Sequence, residues 1–469
     1  MTFGQGITIL PGGKVTVLNG GELKATGSMG ITVKSDATGT GSFLDQNSTN
    51  GNVTFNGTQT VERYISGETK YHIFSSPVQT ATFGSIFASN QMNIWVREFI
   101  ETSNAYVNRI FNESAEQGKG YTIYLDGIAS TTATFSGTLG TGSIAIGGNL
   151  TGIDITGPGN GWNMAGNPYP SAISWNAITK SNLLASVYAW NASGGNWYSY
   201  NGTAGTLTDG VIPSGQGFFV QVTGSSPTLT FTNACRVHGG STLYYKSASI
   251  QNLLTIGVTT SMNLYYDKVY IYFDPGATNG FDPMFDAYKF RGEAEAPEIF
   301  TTGDPILSID VRRSIEDSPV IPLGFKAGSA AEYTFSAEGM ESFSSGTPII
   351  LEDKMTGAMI NLRQNSSYAF HSVKGEFFDR FNVRFSTVGV EETLPSEIQV
   401  YSIDKTIYLS IPHPAVGTVK VYNLVGQYMA GSPLLSQKLL KIPVEGVSGI
   451  YVVSVLIDNT LISKKIMIK

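Results

Sequence analysis

Short runs in which apolar and polar residues alternate, broken by glycine-rich turns, follow one another along this chain: ITIL, KVTVL, GITVKS, YHIFSSP, NIWVREF, KVYIYF, RFNVRF, TVKVYNL and IYVVSV. A period of two is the mark of strands with one buried face. Such a sequence folds as sheets, and the class predicted is all-β with several domains. The 54 glycines serve the turns, and 23 Tyr with 25 Phe suit sheet faces. Only 14% of residues are charged, against a usual figure of about a quarter, so Ser, Thr, Asn and Gly must form much of the polar surface. That is the profile of a secreted β protein.

Several function classes drop out. A formal charge of −7 over 469 residues argues against a nucleic-acid partner, which needs a concentrated basic face. No apolar run is long enough for a membrane-spanning helix. The start, MTFGQGITIL, lacks the basic end and long apolar core of a signal peptide, so an exported protein is expected to have had its signal removed from this sequence. The single cysteine, Cys235, has no intrachain partner and is expected to be a small buried side chain. Stability must come from packed sheets.

Four regions are predicted. Residues 1–60 carry short strands spaced like the rungs of a β-helix, or a small meander, capping the next domain. Residues 61–245 contain a diverged duplication. YHIFSSP, NIWVREF and GKGYTIYL in the first copy answer to WNMAGNPYP, VYAWN with NWYSY, and GQGFFVQV in the second. Tyr71 to Trp162 and Pro77 to Pro168 share one offset. Two such halves face to face predict a large β-sandwich of jelly-roll type, with a short helix at 176–184. A second sandwich is expected at 246–390. Residues 391–469 comprise a linker and an immunoglobulin-like sandwich, closing with a turn at Asp458-Asn459 and a lysine-bearing strand.

The candidate sites are few. Asp274, Asn279, Asp282 and Asp286, beside Asp267, lie on a glycine-containing loop and supply oxygen ligands of the kind calcium takes, about six to eight at a time. Calcium is therefore the candidate cofactor, although the spacing is not that of an EF-hand and the same residues serve as turn formers. Trp95, Trp175, Trp190 and Trp197 are candidates for a sugar platform if their faces are exposed. Glycoside hydrolysis would need two carboxylates about 5–9 Å apart, and Glu98 with Glu101, or Asp282 with Asp286, are the pairs available. The four histidines, His72, His238, His371 and His413, have no ligand-like spacing, and no nucleophile elbow or phosphate loop occurs.

TVKVYNLVGQY at 418–428, GVSGIYVVSV at 446–455 and SKKIMIK at 463–469 together resemble the type A C-terminal sorting domain of the Bacteroidetes type IX secretion system. WNMAGNPYP with GQGFFV, and DKVYIYFDPGATNGFDPMFDAYK, look like body segments of putative surface adhesins of those bacteria. The resemblance implies export through the periplasm, outer-membrane passage by the type IX machinery and an extracellular or outer-membrane-surface destination. It also makes Lys464, Lys465 and Lys469 the places where that machinery is expected to touch. The expected function is non-enzymatic adhesion or binding to a glycan or extracellular protein. The alternative is a carbohydrate-active enzyme or a carbohydrate-binding accessory protein.

Overall fold

Three-residue and four-residue strands joined by glycine turns cannot bury a face alone, and here they do so by stacking. In the computed structural model Ile7–Ile9 pairs in parallel with Ile31–Val33, which pairs in parallel with the strand starting at Gln59. Lys14–Val17 lies on Ser42–Asp45 and Leu23–Ala25 on Val53–Phe55, again in parallel. This register belongs to successive coils, whereas neighbours in a meander run antiparallel. Ile9, Val17, Leu23, Ile31, Val33 and Phe43 point into the core. Gly30 marks where coils approach most closely, for a Cβ there would lie 1.8 Å from the Thr58 carbonyl oxygen. Gly30→Ala is accordingly expected to cost about 1–3 kcal/mol through overpacking, seen as a lower midpoint in chemical denaturation; an unchanged midpoint would show that the coils separate freely.

The structure describes residues 6–25, 27–48, 51–67, 70–152, 160–239, 250–385, 399–403, 405–410, 416–436, 438–445, 448–457 and 460–468. The chain forms two compact units, residues 1–386 and 387–469.

Within the first unit, two four-stranded antiparallel sheets repeat one strand order. The first orders Tyr71–Ser75, Gly120–Leu125, Ile94–Ile100 and Ala105–Asn108 from edge to edge. The second orders Trp162–Gly166, Gly217–Gln221, Val187–Asn191 and Asn196–Tyr200 in the same way. The sheets meet reciprocally: Ser75 N–H donates to the Gly215 carbonyl (3.1 Å), and Gly166 N–H donates to the Gly118 carbonyl (2.9 Å). This explains the G-x-G of both GKGY and GQGF. Gly118 and Gly215 adopt positive φ of 81° and 70°, which only glycine adopts without strain. A Cβ on Gly120 or Gly217 would lie 2.5 Å from Met164 or Ile73 respectively.

Each half has its own core instead of the single jelly-roll interior expected. Phe74, Phe83, Tyr121 and Phe135 fill the first, beneath the coils; Trp175, Val187, Phe218 and Phe231 fill the second. The helix expected at 176–184 is absent. Trp175–Ala177 forms one 3-10 turn, and Thr179–Ser181 pairs with Thr228–Phe231. β-branched Ile178 and Thr179 favour that extended course.

The region expected as a second two-layer sandwich is one continuous eleven-stranded sheet that rolls over an interior of Val258, Phe325, Tyr333, Phe335, Phe370 and Phe381. Side chains link its two ends: Tyr368, on the terminal strand Ser367–Ser372, donates to Asp353 (3.0 Å) near the other end, and Arg380 donates to the His371 carbonyl (3.3 Å). Arg380 also makes a two-pronged bond to Asp353 on the neighbouring strand (3.1 and 2.9 Å). The guanidinium also lies over the rings of Phe370 and Phe381, at 4.6 and 4.8 Å. The outer surface of this sheet, through Tyr272, Ile309 and Val311, shares a cluster with Ile73, Met164, Tyr188 and Phe219 of the paired sheets.

The second unit packs a three-stranded antiparallel sheet (Gln399–Ile403, Thr406–Ser410, Leu439–Pro443) and a four-stranded one (Val416–Asn423, Tyr428–Leu435, Gly449–Ile457, Thr460–Ile468) around one core. Ile407, Leu409, Val421 and Val453 are fully buried there. The turn expected at Asp458-Asn459 lies outside the described residues.

Candidate functional site

Alternation along the first paired sheet sends one set of side chains into the core and the other outward. Phe74, Val96, Tyr121 and Ile123 go inward. The outward set is fixed by register: Tyr71, Tyr124 and Trp95 form one row, Ile73, Thr122 and Arg97 the next, and Phe99 faces Tyr106. Trp95 is 50% exposed, Tyr106 45% and Tyr71 41%. Tyr71 packs on Tyr124 with ring centres 4.8 Å apart.

A second wall comes from the other sheet. Trp190 donates its indole N–H to the Tyr71 carbonyl (2.8 Å) and meets Trp197 edge-on at 5.3 Å. The segment Arg291–Glu293 supplies the third wall, and together they enclose a cavity of about 350 Å³. Trp190 also borders two neighbouring cavities of about 220 and 510 Å³, so it stands where three concave surfaces join.

Three charged side chains reach the cavity. Arg291 is neutralised by Glu298 (2.8 Å) and Glu376 (3.2 Å). Arg97 uses its Nε to bond Asn108 Oδ1 (3.1 Å), and among the described residues no carboxylate pairs with its guanidinium. Glu293 is held by its backbone, its N–H donating to the Gly195 carbonyl and its own carbonyl accepting from Lys326 Nζ (2.9 Å); its carboxylate is left for the cavity. Aromatic walls, one guanidinium and one carboxylate make a surface that stacks on a ring and forms hydrogen bonds at its edge.

The structure thus brings Trp190 and Trp197 to the cavity; Trp95 shares the outward sheet face two residues from Arg97 without lining it, and Trp175 lies elsewhere. Trp175 is fully buried in the core of the second half, its indole donating to the Ala185 carbonyl (2.7 Å). Tyr71, Tyr106, Arg97 and Glu293 are not among the site candidates read from the sequence, where Tyr71 figures only in the duplication and Glu293 only as part of an acidic stretch with Glu295 and Glu298. For Arg97 the signal was available, since it lies two residues from Trp95 in NIWVREF and must share its face.

The acidic loop spends its side chains on backbone N–H groups of its own and of the Leu307–Arg312 strand and its end. Asp274 accepts from Gly276 N–H (2.8 Å), Asp282 from Met284 N–H (3.0 Å) and Asn279 from Arg313 N–H (3.2 Å). Asp286 is buried, accepting from Asp282 and Val311 N–H groups (2.7 and 2.8 Å), and burial pushes its carboxyl up to about 7. Asp267 pairs with Lys289. Among the described residues no group of three or more His, Cys, Asp or Glu side chains is placed to hold a metal ion.

The carboxylate pairs considered for hydrolysis are also engaged. Glu98 is buried between Arg109 and Lys119, and Glu101 accepts from Gly161 N–H (3.2 Å). Cys235 is buried, and burial pushes its thiol up to about 11, which suits packing and not nucleophilic chemistry.

In the second unit Lys464 and Lys465 are exposed on Thr460–Ile468, an edge strand of its sheet, while Ile466 and Ile468 enter the core. Lys469 lies outside the described residues. No helix among the described residues is long and apolar enough to cross a membrane.

Comparison with known proteins gives a family and little else. The model of a family described as a domain of unknown function, DUF8693, matches residues 2–385. No curated protein matches. Among solved structures, a chain titled "Biofilm associated protein - BSP domain" is similar at 11% identity over 87% of this chain and 77% of its own, with a TM-score of 0.14; overlap at that level specifies neither fold nor ligand.

Proposed function

This chain belongs to the family described as a domain of unknown function, DUF8693, and we propose that it is a non-enzymatic, surface-displayed or secreted binding protein that recognises glycan through the aromatic cavity of its first unit. The observation that carries this reading is the convergence of Trp190, Trp197, Tyr106 and Tyr71 on one cavity of about 350 Å³, flanked by the exposed Trp95. Sugar rings present apolar faces that stack on such side chains, and their hydroxyls suit Arg97 and Glu293. A hydrolase would need two carboxylates facing one another, and the cavity lining contains one, Glu293.

The test is a survey of immobilised glycans and extracellular-matrix proteins, run in calcium and in chelator, with tryptophan fluorescence as the second readout. Retention by glycans with a change in fluorescence is expected. Binding to matrix proteins alone, or to nothing, would overturn the reading; loss of binding in chelator would bring the 274–286 loop into it.

Delivery is assigned to the second unit, supported by the three sequence blocks that resemble type IX sorting domains and by the exposed lysines on its edge strand. Deleting residues 396–469 should leave the circular dichroism of the body intact and abolish its appearance at the cell surface, followed by antibody labelling of whole cells. Undiminished surface labelling would remove the sorting role.

A further inference from the structure

The paired sheets carry an internal comparison that narrows the ligand. Arg97 pairs with Asn108 and Thr122 in the first sheet; Tyr188 pairs with Ser199 and Phe219 in the second. Phe99 faces Tyr106 as Trp190 faces Trp197, with ring centres 5.3 Å apart in both pairs. Arg97 and Tyr188 therefore hold the same place in the two sheets.

On the second sheet that place is covered by a six-membered ring of the chain itself. Phe290 lies flat on Tyr188, with centres 4.5 Å apart and planes inclined by 16°. Trp162 and Trp197 close on it edge-on at 4.7 and 5.3 Å. On the first sheet no described ring of the chain stacks on Arg97, and the corresponding space belongs to the cavity lined by Tyr71, Tyr106 and Trp190.

Resting on the glycan reading above, we infer that the cavity takes a six-membered sugar ring bearing a carboxylate, a uronic acid residue of an acidic glycan. The ring takes on the first sheet the position that Phe290 takes on the second. The change from Tyr188 to Arg97 exchanges a stacking partner for a cation, whose terminal N–H groups form a fork suited to a carboxylate. Arg291 is already neutralised by Glu298 and Glu376, so the charge offered by the wall is that of Arg97. Glu293 requires that the same ligand also donate hydrogen bonds, as sugar hydroxyls do; a ligand rich in carboxylates and poor in donors would be repelled by it. Selection for acid is thus local, set against a chain of net charge −7.

The probes are a trigalacturonate and the same trisaccharide with its carboxyls methyl-esterified, titrated by calorimetry against the full chain, with Arg97→Gln and Arg97→Lys alongside. A charge-assisted hydrogen bond contributes about 1.5–3 kcal/mol, so the acid form is expected to bind roughly 10-fold or more tightly than the ester. Arg97→Gln should abolish that preference by weakening acid binding far more than ester binding, and Arg97→Lys should restore part of it. Equal affinity of the wild type for acid and ester would overturn the inference and leave glycan recognition standing. Failure to bind either, with neutral glycans retained in the survey, would likewise overturn the inference alone; failure to retain any glycan would overturn both. If Arg97→Gln weakened acid and ester equally, Arg97 would be a positioning residue and the carboxylate assignment would fall.

Discussion

Asp353→Ala is expected to destabilise the rolled sheet by about 3–5 kcal/mol, the usual consequence of removing one partner of a buried ion pair. The side chains of Asp353 and Arg380 are 0% and 3% exposed. The variant would leave the guanidinium among Phe370, Phe381 and the His371 carbonyl without its anion. Arg380 and Asp353 stand on neighbouring strands, whereas Tyr368 reaches the same carboxylate from the strand at the opposite end of the sheet, so losing Asp353 also removes a side-chain bridge where backbone pairing stops. Equilibrium denaturation followed by circular dichroism measures the effect, with Tyr368→Phe as a milder companion, expected to cost about 1 kcal/mol. Replacing both charged partners together, Asp353→Leu with Arg380→Met, should cost far less than the single change, because no uncompensated charge is then buried. A loss below about 1 kcal/mol for Asp353→Ala would mean that the aromatic interior alone holds the roll closed.

Acid should imitate the variant. Burial raises the Asp353 carboxyl, but the bonds from Arg380 and Tyr368 more than offset this and hold it below the ordinary carboxylate value. Between the folded and unfolded pKa values the native state binds fewer protons than the unfolded state, so stability rises with pH there. The contribution of Asp353 is complete above the unfolded value of about 3.9 and is lost as pH falls through the folded one. The deficit of Asp353→Ala should accordingly shrink in strong acid.

The same pair shows where sequence reading stops. RFNVRF and PIILED are legible as strands, because each alternates, but alternation does not say which face of a sheet curls inward or which distant strands its edges meet. Residues 246–390 could thus be divided into strands correctly in kind and still be expected as two layers. The duplication at 61–245 was legible because its turns use the same chemistry twice: a glycine that must take positive φ, then one that must lack a Cβ. The identical strand order of the two sheets reflects those turns. What the sequence could not rank was the tryptophans. Trp175 and Trp190 both lie near strand-like runs, yet one is sealed in a core and the other stands at the mouth of three cavities. Exposure depends on which neighbour covers a face, and for the second sheet that neighbour is Phe290, roughly a hundred residues downstream in the chain.

That dependence makes Trp190 the decisive position for binding. Trp190→Ala is expected to weaken glycan affinity by about 2 kcal/mol or more, roughly 30-fold in Kd, as for other central aromatic anchors. The change removes a ring that borders the cavity, releases the Tyr71 carbonyl from its indole partner and deprives Trp197 of its edge contact. Fold stability should fall less, since Trp190 is only partly buried, at the margin of the cluster that holds Tyr188 and Phe219. Trp190→Phe separates the contributions: it keeps a stacking face but cannot donate to Tyr71, so an intermediate affinity is expected. Trp95→Ala, on the open rim, should cost less than Trp190→Ala, because a ring half in water excludes less of it from the ligand. Trp175→Phe should leave affinity unchanged while lowering stability, its ring being core and its indole bonded to Ala185. Calorimetric titration of the four variants with one retained glycan gives the order directly. If Trp190→Ala bound as well as wild type, the ligand would lie elsewhere and the cavity would be only a packing defect between two sheets, whereas a loss confined to Trp95→Ala would move the site outward onto the open face of the first sheet.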